Sequence, residues 1–320
     1  MADGMVTPGL GYSISDEGSP APLRTLDVAA LLKTVFPPRE LLLAPWLPEK
    51  GLAMVYGPRG IGKTHLSLGI AYAVATGGTF LSWRAPRPRR VLVIDGEMPA
   101  VVLQGRLAAI VAASDLEPPA SDFLRVLPMD LQDGGGLDLS DEAFHPALDV
   151  AMAGAELLIV DNISTLARGG RENEAESWLP VQQWALAQRR AGRSVVFIHH
   201  AGKGGQQRGT SRREDVLDTV VALRRPPDYR PDEGARFEVH FEKARGFHGG
   251  EAKPFEATLT LQDGWTTRDL ADADLARVMA LTSQGMAVRD IADELGMSKS
   301  TVSRLQAKGR AVGAAPTGHD

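Results

Sequence analysis

The chain has 320 residues, 43% of them hydrophobic and 23% charged, with a formal net charge of −5 and no cysteine. That length accommodates one large α/β domain and a small one, and the apolar content excludes wholesale disorder. The missing cysteines exclude disulfides and thiolate metal sites, and the negative balance argues against a uniformly basic nucleic-acid coat. No apolar run approaches the roughly 20 residues of a membrane span. The first residues lack a charged-then-apolar leader pattern, so a cytoplasmic chain with no membrane partner is expected.

Residues 1–26 are rich in Gly, Ser, Pro and Asp, the composition of a flexible tail. Asp27–Leu32 carries Val28, Leu31 and Leu32 at helical spacing and stops at Pro37-Pro38. The apolar stretch Leu41–Pro48 leads into a first strand, Leu52–Tyr56. It is read as packing on the core, with a neighbouring subunit as the alternative. Directly after the strand stands Gly57-Pro58-Arg59-Gly60-Ile61-Gly62-Lys63-Thr64, the pattern G-x-x-x-x-G-K-T, and His65–Ala75 continues with apolar residues at helical spacing. Strand, glycine turn and helix are the context in which this pattern cradles a nucleoside triphosphate. Backbone N–H groups turn inward at the positive end of a helix, Lys63 reaches the β- and γ-phosphates of ATP, and the Thr64 hydroxyl holds Mg²⁺. The expected nucleotide-binding set is Gly57, Pro58, Arg59, Gly60, Ile61, Gly62, Lys63, Thr64 and His65.

Gly77-Gly78 ends that helix, and Arg84–Arg90 reads as a basic loop. Val91–Asp95 is an unbroken apolar run ending in a carboxylate, typical of a parallel strand covered on both faces. Glu97 follows at the carboxyl end, where ligands of open α/β sheets collect. It is a candidate base that polarises a water, and a solvated loop carboxylate is the alternative. Val101–Ala113 reads as a helix and Phe123–Leu127 as a strand. Leu157–Asn162 is a second buried run of Walker B type, with Asp161 expected to bind Mg²⁺ through a water or through Thr64. A polar loop over 163–176 and a helix over 178–191 follow. Ser194–His200 is a third buried strand that ends in two histidines. One of the pair, His200, is placed to sense a γ-phosphate, against the alternative of a structural histidine.

Residues 201–213 then hold four basic side chains, Lys203, Arg208, Arg212 and Arg213, four glycines and no acid. Such a segment suits the backbone of single-stranded DNA, or is a solvated surface loop. Asp218–Leu223 is a further strand. Phe237–Lys243, Phe255–Leu261 and the region of Trp265 alternate as antiparallel strands that close the sheet.

Taken together, these motifs from Trp46 to Trp265 resemble the RecA-like hexameric helicase ATPases, in particular plasmid replication helicases of the RepA type and related phage and mobile-element ATPases. The resemblance rests on the P-loop, Ile94-Asp95-Gly96-Glu97-Met98-Pro99, Leu158–Asn162, Phe197–Ala201 and Arg208-Gly209-Thr210-Ser211. It implies Glu97 as catalytic base, Asp161 on Mg²⁺, His200 as γ-phosphate sensor, and a basic loop touching single-stranded DNA in a central pore. Lys243-Ala244-Arg245 looks like the lysine-x-arginine segment of replicative helicases. That match implies that Lys243 and Arg245 reach the ATP of an adjacent subunit in a homo-oligomer, expected to be a hexamer. An ordinary charged strand end is the alternative.

Residues 272–312 read as a separate unit. An amphipathic helix over 274–281 precedes Val288–Leu305, which has helix-turn-helix spacing: Ala292 for close packing, Gly296 in the turn, and Ser298 as cap of the second helix. Ile291, Val302 and Leu305 face the shared core. Lys299, Ser300, Thr301 and Arg304 lie on the outer face, suited to duplex DNA, with protein contact as the alternative. The unit resembles the helix-turn-helix of resolvases and bacterial regulators.

The fold expected is an α/β RecA-like P-loop core, with a mainly parallel twisted sheet closed by antiparallel strands, plus a small all-α domain. The expected boundaries are a tail at 1–26, the ATPase domain at 27–268, the helix-turn-helix at 272–312 and a tail at 313–320. The function expected is a DNA-associated oligomeric ATPase of the helicase class. The alternative is an ATP-switched DNA-binding regulator without helicase activity, and a P-loop kinase is a weaker third reading.

Overall fold

The computed structural model describes residues 23–133, 136–167, 175–202, 214–260 and 262–313. Two compact units divide the chain, Met1–Arg39 and Glu40–Asp320. The first contains the short helix α1 (Val28–Lys33), capped by Asp27, whose carboxylate accepts from the Ala30 N–H at 2.7 Å.

The second unit is built on a sheet. Its described elements run β1 (Leu41–Leu43), β2 (Leu47–Pro48), β3 (Leu52–Gly57), α2 (Lys63–Thr76), β4 (Thr79–Phe80), β5 (Trp83–Arg84), β6 (Val91–Asp95), α3 (Ala100–Ala112), β7 (Leu124–Pro128), α4 (His145–Ala151), β8 (Leu157–Asp161), α5 (Ile163–Leu166), α6 (Ala175–Arg190), β9 (Ser194–His200), β10 (Thr219–Arg224), β11 (Arg236–Ala244), β12 (Phe255–Thr260) and β13 (Gly264–Asp269), then α7 (Leu270–Ser283), α8 (Val288–Glu294) and α9 (Lys299–Gly313). Among the described residues, nine strands form one sheet in the order β13-β12-β11-β10-β3-β9-β8-β6-β7. From β10 to β7 the pairing is parallel, and β11, β12 and β13 close the sheet antiparallel.

Period-2 alternation sends successive side chains of each strand to opposite faces. Ala53 and Val55 of β3 join one buried cluster, with α2 and the β1–β2 ribbon; Leu52, Met54 and Tyr56 join the other, with α6. Both faces are covered, so β6 and β8 are apolar at four consecutive positions and buried throughout. Leu42, Leu43, Trp46 and Leu47 are all buried in the first cluster. This is an α/β core with a mainly parallel sheet, followed by three packed helices. Among the described residues no helix is long and apolar enough to cross a membrane.

Two expectations are corrected. Arg84–Arg90 is not loop throughout: Trp83-Arg84 pairs with Thr79-Phe80, the loop begins at Ala85, and within it Arg89 is buried against Glu40, Glu49 and Glu156, each at 2.6 Å. Three carboxylates compensate a guanidinium that could not be buried alone. The stretch after Asn162 is likewise no polar loop at its start, because α5 buries Ile163 and Leu166. Residues 168–174 of that stretch lie outside the described residues.

The terminal helices pack through Val278, Ile291, Ala292, Leu295 and Val302. Their attachment to the sheet is electrostatic as well as apolar. Arg277 of α7 is buried and meets Asp228 at 2.9 Å, Asp274 at 2.8 Å, Glu238 at 3.3 Å, and Glu256. Arg236 and Arg268 also bond Glu256, at 3.3 and 2.8 Å. Removing one partner of a buried pair costs about 3–5 kcal/mol, and Glu256 would keep two arginines, so Arg277→Ala should destabilise by about 3 kcal/mol. A shift in the urea midpoint checks this; an unchanged midpoint would show that the network contributes no net stability.

Candidate nucleotide site

The site is assembled where parallel strands end together. Gly57 stands opposite His200, and Asp161 opposite Asp95. The turn after β3 passes Gly60 and Gly62, with φ of +71° and +110°, before α2 begins at Lys63. At Gly62 any side chain would be strained, and a Cβ would stand 3.2 Å from that of Ala235. Ile61 is buried and anchors the turn, whereas Arg59 and Gly60 are exposed. The Lys63 ammonium folds back under the turn and donates to the carbonyls of Gly57 and Pro58 at 3.0 and 2.9 Å. Burial lowers its pKa to about 8, against the pull of Asp161 and Glu97. His65, half-buried, is lowered by burial and by Arg106.

Asp161 is buried at the end of β8, where one carboxylate oxygen accepts from the Ser67 hydroxyl of α2 at 3.0 Å. Burial, then the neighbouring Asp95, pushes its pKa up to about 6, against hydrogen bonds from Ser67 and Thr64 and the charge of Lys63. Thr64, Ser67, Lys63 and Asp161 therefore form one group joining the turn to β8.

Glu97 is aimed by its own strand end. One Asp95 carboxylate oxygen accepts from the backbone N–H groups of Glu97 and Met98 at 3.1 and 2.7 Å. Gly96 between them has no room for a side chain: a Cβ would lie 2.6 Å from Leu166 and Thr165 of α5. The Glu97 carboxylate accepts from the Asn162 side-chain amide, and the same amide nitrogen lies 3.3 Å from Nε2 of His200. Glu97 and His200 are 3.7 Å apart. The Glu97 side chain remains 57% exposed while that of His200 is 10% exposed, so the carboxylate faces solvent and the imidazole backs it.

Other expected residues lie elsewhere. Ala244 pairs with Thr219, itself level with Ala53 at the start of β3, so Lys243 and Arg245 lie at the opposite sheet edge from the glycine turn of the same chain. There Lys243 donates to the Glu214 carbonyl and Arg245 to that of Asp215 at 3.4 Å. Lys203, Arg208, Arg212 and Arg213 fall outside the described residues. On α9, Lys299, Ser300 and Arg304 are exposed, but Thr301 is half-buried and corrects the expectation of an open position. Its backbone N–H donates to the Ser298 hydroxyl at 3.1 Å and its own hydroxyl lies 2.8 Å from that oxygen, so it belongs to the cap. The Ser300 hydroxyl meets the same oxygen at 2.8 Å.

Sequence reasoning passed over Asn162, Ser67 and Asp95 as site residues. Each stands beside a quoted motif, but hydroxyls and amides at such positions have no signal of their own. The residues present fit a triphosphate with Mg²⁺. A buried lysine is satisfied only by turn carbonyls, a buried carboxylate is held short of full ionisation, and Oδ1 of Asn162 is buried with no hydrogen-bond partner among the described residues.

A family model described as AAA domain matches residues 19–206, and one described as homeodomain-like domain matches residues 271–310. Among solved structures, a KaiC-like protein from the hyperthermophilic archaeon Pyrococcus horikoshii aligns at 17% identity, over 69% of this chain and 90% of that one, with a TM-score of 0.49.

The raised pKa of Asp161 has a consequence for stability. Its folded value of about 6 lies above the unfolded 3.8, so its contribution is full below pH 3.8 and is lost as pH rises through 6. The neutral isostere Asp161→Asn should therefore be more stable than the native chain at pH 7, by on the order of 1–3 kcal/mol, with a smaller gain near pH 4.5. Urea unfolding of the nucleotide-free proteins at both pH values checks this, and a pH-independent difference would contradict it.

Proposed function

The chain belongs to the AAA domain family, and from that premise we propose that it is a cytoplasmic, oligomeric ATPase that acts on DNA. The convergence of Glu97, Asn162 and His200 beside the glycine turn carries this reading. Gly57 to Thr64, with His65 behind them, would hold the triphosphate, and Thr64 and Asp161 would hold Mg²⁺. Bound there, Mg²⁺ neutralises the charge that develops in phosphoryl transfer to water. Glu97 accepts the proton of that water, oriented by the Asn162 amide and by the turn on Asp95. Lys63 turns its ammonium from the loop carbonyls toward the β- and γ-phosphates. His200 senses the γ-phosphate at the end of β9, and Lys203, Arg208, Arg212 and Arg213, which follow it in sequence, bind single-stranded DNA.

Lys243 and Arg245 cannot serve their own chain's turn from the opposite sheet edge, and they act instead at the triphosphate of a neighbouring copy, in a ring taken to be a hexamer. Lys299, Ser300 and Arg304 deliver the ring to duplex DNA. The setting that suits these parts is a RepA-type helicase in replication of a plasmid, phage or mobile element. A regulator that binds DNA in response to ATP is the second reading. It is favoured by the Arg277 network, which ties the terminal helices to β11 and β12.

Glu97→Gln should lower kcat by about 10²–10⁴-fold with little change in ATP affinity. Hydrolysis should rise on addition of single-stranded DNA; a well-folded oligomer that shows no stimulation would favour the regulator. Mixing Lys63→Ala with Arg245→Ala chains should restore part of the activity that each lacks alone, because a mixed interface can pair an intact turn with an intact Arg245. An absence of restoration in verified mixed oligomers would place Arg245 outside the site.

A further inference from the structure

The segment that joins β10 to β11 presses on the glycine turn at both of its ends. Near the end of β10, Leu223 stands against Gly57: a Cβ on that glycine would lie 2.9 Å from the Leu223 Cβ. Where the chain enters β11, Ala235 and Phe237 pack on Gly62, 3.2 and 3.3 Å from the corresponding position. Gly57 and Gly62 open and close the turn, and a close-packed contact leaves no slack, so the turn cannot shift unless these side chains shift with it. Between the two contacts the loop is braced. The Pro226 carbonyl accepts from the Tyr229 N–H at 3.1 Å, and the Tyr229 hydroxyl donates to the Gly234 carbonyl at 3.1 Å.

A single carboxylate joins this loop to the terminal helices. Oδ1 of Asp228 accepts from Nη2 of Arg236 and from Nε of Arg277, each at 2.9 Å. Arg236 is buried, and it sits in sequence between the two residues that pack on Gly62. Arg277 is buried on α7. Its other carboxylates, Glu238, Glu256 and Asp274, belong to β11, β12 and α7 itself. Among the described residues, Asp228 is therefore the partner of Arg277 that lies in the loop. One position beyond Arg277, Val278 packs with Ile291 of α8 and Val302 of α9.

We propose that Asp228 couples the two binding sites of this chain: nucleoside triphosphate on the glycine turn and duplex DNA on α9 change one another's affinity through the paired bonds of Asp228 to Arg236 and Arg277. This rests on the triphosphate reading of the turn and the duplex reading of α9, and adds what joins them. A turn that closes on phosphates moves against Ala235 and Phe237. Arg236 between them carries that displacement to the oxygen it shares with Arg277. Packed contacts and ion pairs change between discrete arrangements, so a small shift at the turn re-seats α7 and is not absorbed on the way. Such coupling is reciprocal, by the same factor in both directions.

Titration of the full chain with a labelled mixed-sequence duplex, with and without saturating Mg²⁺ and a non-hydrolysable ATP analogue, tests it. The analogue should change the duplex Kd by about fivefold or more, and saturating duplex should change the analogue Kd by the same factor. Asp228→Asn leaves Arg277 bonded to Glu238, Glu256 and Asp274, and Arg236 to Glu233 and Glu256, so the fold is kept. In that variant each ligand should still bind, and both factors should fall to within about twofold of unity. Asp274→Asn also takes a carboxylate from Arg277, but from within α7, and should keep the native factor. A factor retained in Asp228→Asn, as coupling through assembly of copies alone would give, would overturn the proposal. So would an equal loss in Asp274→Asn, or a native chain that binds the two ligands independently. A native chain that binds the analogue and no duplex would overturn the coupling and leave the phosphate site standing; one that binds no analogue would overturn both.

Discussion

Parallel pairing of β3, β9, β8 and β6 is the constraint on which the site depends. Parallel strands all end at one edge, so the residue just past each end is delivered to the same place however far apart the positions are in the chain. Glu97 and Asn162 are 65 positions apart, Asn162 and His200 another 38, yet their side chains touch. The glycine turn leaves the same edge from β3. Antiparallel β11 runs the other way, and this alone sends Lys243 and Arg245 to the far edge.

Buried charge is treated in two ways in this molecule. Arg89 and Arg277 are surrounded by three and four carboxylates, and these sets join segments distant in sequence. Lys63 and Asp161 are left short of partners. One is drawn toward its neutral form from above and the other from below, because each is buried with too little countercharge. A group under such strain gains when a ligand of opposite charge arrives. That is the expected condition of a binding site, and structural ion pairs show the opposite.

The β10–β11 loop connects these two regimes. Arg225 and Ala235 flank the glycine turn, while Asp228 in the same loop bonds the Arg277 guanidinium of α7 at 2.9 Å. The terminal helices are thus two contacts from the turn, through one short loop. The covalent order of the chain, which places them last, hides this proximity.

Local patterns in the sequence determined the α/β class, the glycine turn between strand and helix, the buried runs that end in Asp95 and Asp161, and the helix-turn-helix spacing around Gly296. Each is a matter of periodicity or backbone preference within a few residues, and such preferences act before any long-range contact forms. Tertiary structure alone decided the partners. Nothing near Asn162 marks it as the residue that holds Glu97, and nothing near Ser67 marks it as the partner of Asp161. Nothing near Arg89 or Arg277 marks either as buried, because burial of a guanidinium depends on carboxylates from other segments. The short α5 was hidden for the same reason: four residues carry too little periodicity, and what makes them helical is the packing of Ile163 and Leu166 on the sheet. Which side chains meet is set by strand order and direction, a property of the whole sheet that no single stretch of the chain contains.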